Sequence, residues 1–502
     1  MHLNRIDSQP SKSSRVFRGA LRASLCVAVA LSGCSKSAQQ LELNPDAWAP
    51  QAVQREWAPA PGQHGLVVSA AEAAVLSDHP PNRQNLGLTE LVSFALAHNP
   101  STRSAWRSAE AAAAAAGKAR APYYPKVTAD SDNGYQRLVD LVPNHWGNLK
   151  TWQSRNILSL DYDLIDFGRR DAASRSALNE LVAANLLFNR KVQEVVFNVE
   201  RSFYQLDAAR AGVEAADATV KLAATDRRST ELRRKHGLAT APEVLLARQR
   251  EAQADFDLEN ARLAVSLAQA DLSVALGVRA DDAPEVASLK DQPLPPSLSA
   301  DIERLIDSAV RERPDLAAAV STLRARQAEV DLAHASLYPT LRLTSFYGSQ
   351  AFTYRLSNPR TSTFTAMAPE YGAGLSLKWD IFTGFSHVNS IKEADARRDA
   401  ARADLESAEL DAAAGVWRAY FTYRTAQRKY DYAQALLTAS QSSYNSNFRA
   451  YGLGLATIVD LLSAQRELAA ARFTIIQSKA ELLISAAAIS FTTGAIPPEA
   501  KP

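Results

Sequence analysis

With two cysteines in 502 residues the chain has no disulfide framework, and neither cysteine stands in a metal-ligand spacing with a histidine. The eight histidines are scattered, with no His-x3-His. No Gly-x-Ser-x-Gly, phosphate loop or Gly-x-Gly-x-x-Gly stands in a strand–turn–helix context. The chain therefore offers no catalytic residue, no metal site and no cofactor site, and is not expected to be an enzyme. An excess of charge of one sign is also missing. Lys and Arg number 56 against 54 Asp and Glu, which argues against a nucleic-acid partner.

Proline and glycine are absent where they would interrupt a helix. Between Arg170 and His236 there is no proline, and Gly212 is the single glycine. At 1.5 Å per residue this predicts a rod of about 95 Å over 170–236. Val192, Val196, Val199, Phe203 and Leu206 carry a 4-3 heptad seam along it. Gly237, preceded by Arg233, Arg234 and Lys235, ends it. A second helix is expected over 241–276.

A bilayer-length apolar run is missing near the start of the chain. Ala23–Leu31 is too short to span, and it follows Arg15, Arg18 and Arg22. A basic region before a short apolar one reads as a secretory signal over 1–33. Leu31-Ser-Gly-Cys34 matches the lipobox of bacterial lipoproteins, which makes Cys34 the expected lipidated (palmitate-bearing) first residue. An ordinary cleavage site with Cys34 incidental is the alternative. Removing Arg5, Lys12, Arg15, Arg18, Arg22 and Asp7 leaves 51 basic and 53 acidic residues, a formal −2. Residues 34–86 read as an extended tether.

The largest positive feature is internal repetition. Gly237-Leu-Ala-Thr240 recurs as Gly454-Leu-Ala-Thr457, 217 positions on, and Gly277 meets Gly494 at the same offset. Upstream the offset is 214, where Pro100 meets Pro314 and Pro125 meets Pro339. An internal duplication follows, with repeats over 87–277 and 301–494, a linker over 278–300 and a tail over 495–502. The second copy should hold helices over 386–451 and 458–491, the latter with a seam of Val459, Leu462, Ala469, Phe473, Ile476, Ala480 and Leu483. The helix before the strands and the one after the Gly turn nearly sum to the long helix. They should stack end to end along it as an antiparallel coiled coil.

Between the helices the period changes to two. Leu158, Leu160, Tyr162 and Leu164 alternate with Ser159, Asp161 and Asp163, and Leu375, Leu377, Trp379 and Ile381 alternate with Ser376, Lys378 and Asp380. Hairpins are expected over 126–165 and 340–382, with strands of about 9–11 residues, the length that crosses a bilayer when tilted. Four such strands cannot close a barrel, and open edges are forbidden in lipid, so several chains must share one.

The doubled unit resembles the TolC family of outer-membrane efflux proteins. The likeness rests on the Tyr-Pro approach to each hairpin, the Tyr162-Asp163 and Trp379-Asp380 strand ends, and the glycine turns at Gly237 and Gly454. The lipobox is similar to that of the lipid-anchored, OprM-like branch. The resemblance implies a mainly α fold with membrane β: a homotrimer whose four strands per chain form a 12-stranded outer-membrane barrel, continued by a periplasmic α-barrel of coiled-coil helices. It implies passage of drugs or other toxic compounds from a periplasmic adaptor and an inner-membrane transporter to the exterior. The outer channel of a type I protein exporter shares the fold, and a non-channel envelope scaffold is a further alternative.

By the same resemblance Asp460 faces the pore as an acidic ring and Tyr451 helps hold the tip closed. Glu243 stands at the outer-turn latch position, with no basic partner at Ala456. Thr457-x-x-Asp460 and Thr240-x-x-Glu243 equally read as capping boxes, and Tyr451 as a seam aromatic.

Overall fold

The computed structural model describes residues 86–142, 145–280, 284–287, 294–295, 301–356 and 364–494. The signal segment, Cys34, the tail and all but the last residue of the 34–86 tether lie outside the described residues.

The elements come twice in one order. The first set is α1 (Leu88–His98), α2 (Pro100–Ala119), β1 (Lys126–Val142), β2 (His145–Ile165), α3 (Arg169–Lys235) and α4 (Ala241–Leu276). The second is α5 (Ile302–Glu312), α6 (Pro314–Ala335), β3 (Thr340–Leu356), β4 (Phe364–Lys378), α7 (Ser386–Gly452) and α8 (Ile458–Thr493). Both long helices have 67 residues and both return helices 36.

Gly237 and Gly454 sit at φ 75° and 77°, a left-handed region that costs glycine nothing. Each closes a Schellman turn: Leu238 N–H reaches Arg233 O at 2.8 Å, and Leu455 N–H reaches Ala450 O at 2.8 Å. The return helix then stacks on the short one, as the lengths predict. A Cβ on Gly277 would lie 2.7 Å from the Asn99 Cα, and one on Gly494 would lie 3.0 Å from the Arg313 Cα. Asn99 Nδ2 donates to Ala275 O at 2.8 Å, and at the equivalent place Arg313 donates to Thr492 O at 3.5 Å. One joint is thus made twice, by a neutral side chain and by a charged one.

The core lies along the helices. Val196, Val199, Phe203 and Leu206 are buried against Leu91, Leu272 and Leu276, so four of the five α3 seam residues are where the heptads put them, and Val192 is half-buried. The α8 seam is not. Val459 is 62% exposed, while Ile458, Leu461 and Leu468 are buried, because α8 packs between α7 and α3 and so uses two adjoining faces. Within the expected 278–300 linker, the described Val286 is buried in the first core cluster and forms a parallel bridge with Leu86.

The four strands make one antiparallel sheet in the order β1-β2-β3-β4. They have 17, 21, 17 and 15 residues, longer than the 9–11 expected. A polar face need not end a strand if that face stays wet. β4 stops at Lys378, so Trp379 and Ile381 belong to the connection to α7, where Trp379 Nε1 donates to Leu337 O at 3.0 Å.

Candidate functional site

The strand register sorts the side chains by face. One face carries Val127, Ala129, Leu158, Leu160, Tyr162, Leu343, Tyr347, Met367, Tyr371 and Leu375. From the Leu341–Leu377 pair up to the Tyr135–Trp152 and Thr353–Thr365 pairs, no charged residue stands on it. The opposite face carries Lys126, Asp130, Asp132, Arg155, Asp161, Asp163, Arg342, Glu370 and Lys378. An uncharged face and a wet one on the same strands are what a barrel wall between lipid and water requires.

On the wet face two ion pairs tie the halves together. Arg342 Nε donates to Asp163 at 2.7 Å between adjacent strands. Arg155 on β2 reaches past β3 to Glu370 on β4 with two donors, at 3.0 and 2.8 Å. Gly348, between Ile157 and Glu370 in the register, has no side chain to obstruct that span.

At the far end of the helices α3 and α7 are joined by side chains. Tyr444 donates to Asp226 at 3.1 Å, and Tyr451 donates to Thr230 Oγ1 at 3.3 Å. Arg233 donates to Gly452 O at 3.0 Å and lies 4.7 Å over the Tyr451 ring. Asp226 and Thr230 are fully buried, and Tyr444 and Tyr451 nearly so. Burial pushes the Asp226 carboxyl up to about 6, against the opposing pull of the Tyr444 hydroxyl. The same burial, with Asp226 beside it, raises the Tyr444 phenol. This is a contact with little to spare: a carboxylate in an apolar cluster with one side-chain donor aimed at it.

The expected site residues divide. Tyr451 belongs to the α3–α7 link. Asp460 is exposed and bonded back to its own cap: its Oδ2 accepts from Thr457 Oγ1 at 2.6 Å and from Thr457 N–H at 2.9 Å, while its N–H donates to Thr457 Oγ1 at 3.2 Å. Those bonds hold its carboxyl below the usual range. Glu243 accepts from Thr240 N–H at 2.7 Å, the corresponding bond in the first copy. Gly237 and Gly454 shape the two turns. Sequence reasoning missed Asp226, Thr230 and Tyr444. The available signal was an acid following the small-residue stripe Ala216, Ala223 on a buried helix.

The outer membrane efflux protein family model matches residues 91–278 and 305–495. The protein CyaE of Bordetella pertussis is 30% identical over 417 residues, covering 82% of this chain and 84% of that one. The antibiotic efflux pump outer membrane protein ArpC of Pseudomonas putida is 25% identical, covering 91% of each. Among solved structures the outer-membrane channel OprN superposes with a TM-score of 0.71 at 23% identity, covering 81% of this chain and 90% of that one. The open state of the Neisseria gonorrhoeae MtrE channel gives 0.66 at 20%, covering 81% and 89%. A wall with one uncharged and one wet face, above two long coiled coils tied at their tips, agrees with both likenesses, and the chain belongs to the outer membrane efflux protein family.

Proposed function

We propose that three copies close one 12-stranded barrel and one helical tunnel, and that the tunnel passes small toxic compounds out of the cell. The supporting observation is the pair of open sheet edges. β1 and β4 each have a partner on one side only, and such edges cannot stand in lipid. The helices agree. Packing runs α4, α3, α8, α7, which leaves Phe256 and Leu263 of α4 exposed on one flank and Trp417 and Tyr432 of α7 on the other. A neighbouring copy on each side would cover both. Native mass measurement in mild detergent should give three copies, and a stable monomer would overturn the reading.

In this reading the tips of α3 and α7 shut the tunnel, held by the Asp226–Tyr444 and Thr230–Tyr451 bonds, and Asp460 lines the closed end. A periplasmic adaptor and an inner-membrane transporter would dock there and separate the helices. Cys34 would carry the lipid. Relatives described as an antibiotic efflux component (ArpC) and a pyoverdine export protein (OpmQ) support a small-molecule cargo. A deletion strain should gain sensitivity to toxic compounds and recover with the intact gene. A strain that loses only a secreted protein would point to an exporter instead.

A further inference from the structure

The last turns of α3 carry a stripe of side chains that nothing in the fold covers. Asp226 and Thr230 turn toward α7, where they meet Tyr444 and Tyr451. Arg227 and Glu231 turn toward α4, where they pair with Glu251 and Arg248. Arg228, Leu232 and Lys235 stand at i, i+4 and i+7, on the face that those contacts leave free. All three are exposed, Leu232 by 57%. Neither Arg228 nor Lys235 has an ion pair or hydrogen bond from its side chain among the described residues.

Two ordinary explanations fall short. Cations complement the negative end of a helix, but that effect fades within the last turn. Arg228 lies two turns inside α3, and Arg233 and Arg234 already stand at its end. α7 ends in the same kind of glycine turn with Arg449 as the one cation in its last turn. A neighbouring copy does not account for the stripe either. α3 is flanked by α4 and α8 of its own chain, so copies would meet across α4 and α7 and leave this face of α3 open. The repeat sharpens the contrast. Residues 223–243 hold five basic and three acidic residues, a net +2, whereas the equivalent 440–460 hold one of each, a net 0. At the stripe positions the second copy has Asn445, Arg449 and Gly452.

We propose that Arg228, Leu232 and Lys235 form a docking rail for an acidic helix of the periplasmic adaptor. Seven residues at 1.5 Å each set the two cations about 10 Å apart along the helix axis. A partner helix with carboxylates seven residues apart and an apolar residue between them would meet all three side chains at once. Exposed ion pairs of this kind choose the partner and its register more than they add affinity, and Leu232 supplies the apolar contact. The second copy lacks both the outer pair of cations and the leucine between them. A trimer would therefore present three rails, alternating with three neutral hairpins. Adaptor chains seated at successive hairpins would meet two unlike footings. The inference rests on the reading that an adaptor docks at the tips.

The test has two arms. In a deletion strain, resistance to toxic compounds is measured with the intact gene, with Arg228→Glu/Lys235→Glu, and with Asn445→Glu at the matching place in the second copy. The reversed pair should lose most of the resistance that the intact gene gives, with the trimer undiminished in the outer membrane. Asn445→Glu should keep it, and an equal loss there would overturn the restriction to the first copy. Arg228→Gln serves if the reversed pair does not assemble. An intact gene that restores nothing would overturn the efflux reading, whereas restoration by the reversed pair as well would overturn the rail. The second arm uses the full-length protein in mild detergent and the anisotropy of a fluorescent helical-hairpin peptide with Glu at i and i+7 and Leu at i+4. The protein should bind it about fivefold more tightly than a counterpart with Gln in place of both Glu. That advantage should shrink as salt rises from about 0.05 to about 0.5 M. Equal binding of the two peptides, or undiminished binding by a trimeric Arg228→Gln/Lys235→Gln variant, would overturn the acidic partner.

Discussion

Tyr444 on α7 aims its hydroxyl at Asp226 on α3, 3.1 Å away and 218 positions earlier in the chain. Tyr444→Phe leaves a buried carboxylate without that donor. The variant should lose about 1–3 kcal/mol at this contact. In planar bilayers its single-channel conductance should rise as the tips part. Unchanged conductance with a lowered melting temperature would show that the bond holds the fold without controlling passage.

The same carboxyl makes the contact sensitive to pH. Burial raises Asp226 to about 6 from an ordinary 3.8, so the packed helices hold a proton that separated ones release. Stability contributed here is present at low pH and declines as pH rises from about 4 to about 6. Asp226→Asn keeps an acceptor for Tyr444 and removes the charge. It should melt with the wild type near pH 4 and above it at pH 7.5. Parallel melting curves across that range would contradict a raised carboxyl.

Asp460 and Thr457 separate capping from conduction. Thr457→Ala removes the hydroxyl that both donates to Asp460 and accepts its N–H, and should cost about 0.5–2 kcal/mol of stability. Asp460→Ala should relieve block of single-channel current by divalent cations if three such carboxylates ring the closed end. Retained block with earlier melting would leave capping as its whole role.

On the lipid face position along the strand decides the outcome. Leu377 is one residue from the end of β4, whereas Tyr371 is midway along the uncharged face. Tyr371→Lys should impair trimer yield with a cost of about 2–4 kcal/mol per chain, and Leu377→Lys only about 0–1. Trimer recovery from membranes after mild-detergent extraction compares the two.

The helices were legible in the sequence because their ends are chemically marked. Gly237 and Gly454 need the left-handed region, and Thr240 and Thr457 start the return helices, so the read boundaries fall within about two residues of the observed ones. Strand length was not legible. Arg155, Asp132 and Glu370 look like interruptions until the wet face is known to accept them. The α3–α7 link was hidden for another reason. The repeat offset pairs each residue with its own counterpart, whereas Asp226 bonds to the neighbour of its counterpart, Ser443. A contact between the two copies is invisible to a comparison that lays one over the other.

The unpaired edges of β1 and β4 reach beyond the finished channel to how it is made. One sheet arriving alone at the membrane would carry two rows of unmet backbone groups into hydrocarbon, each costing several kcal/mol. Entering the bilayer and meeting a partner are therefore one event. On the proposed trimer, its rate must depend steeply on how many copies are present at once. Abundance becomes a threshold, set by the two strands that begin and end the sheet.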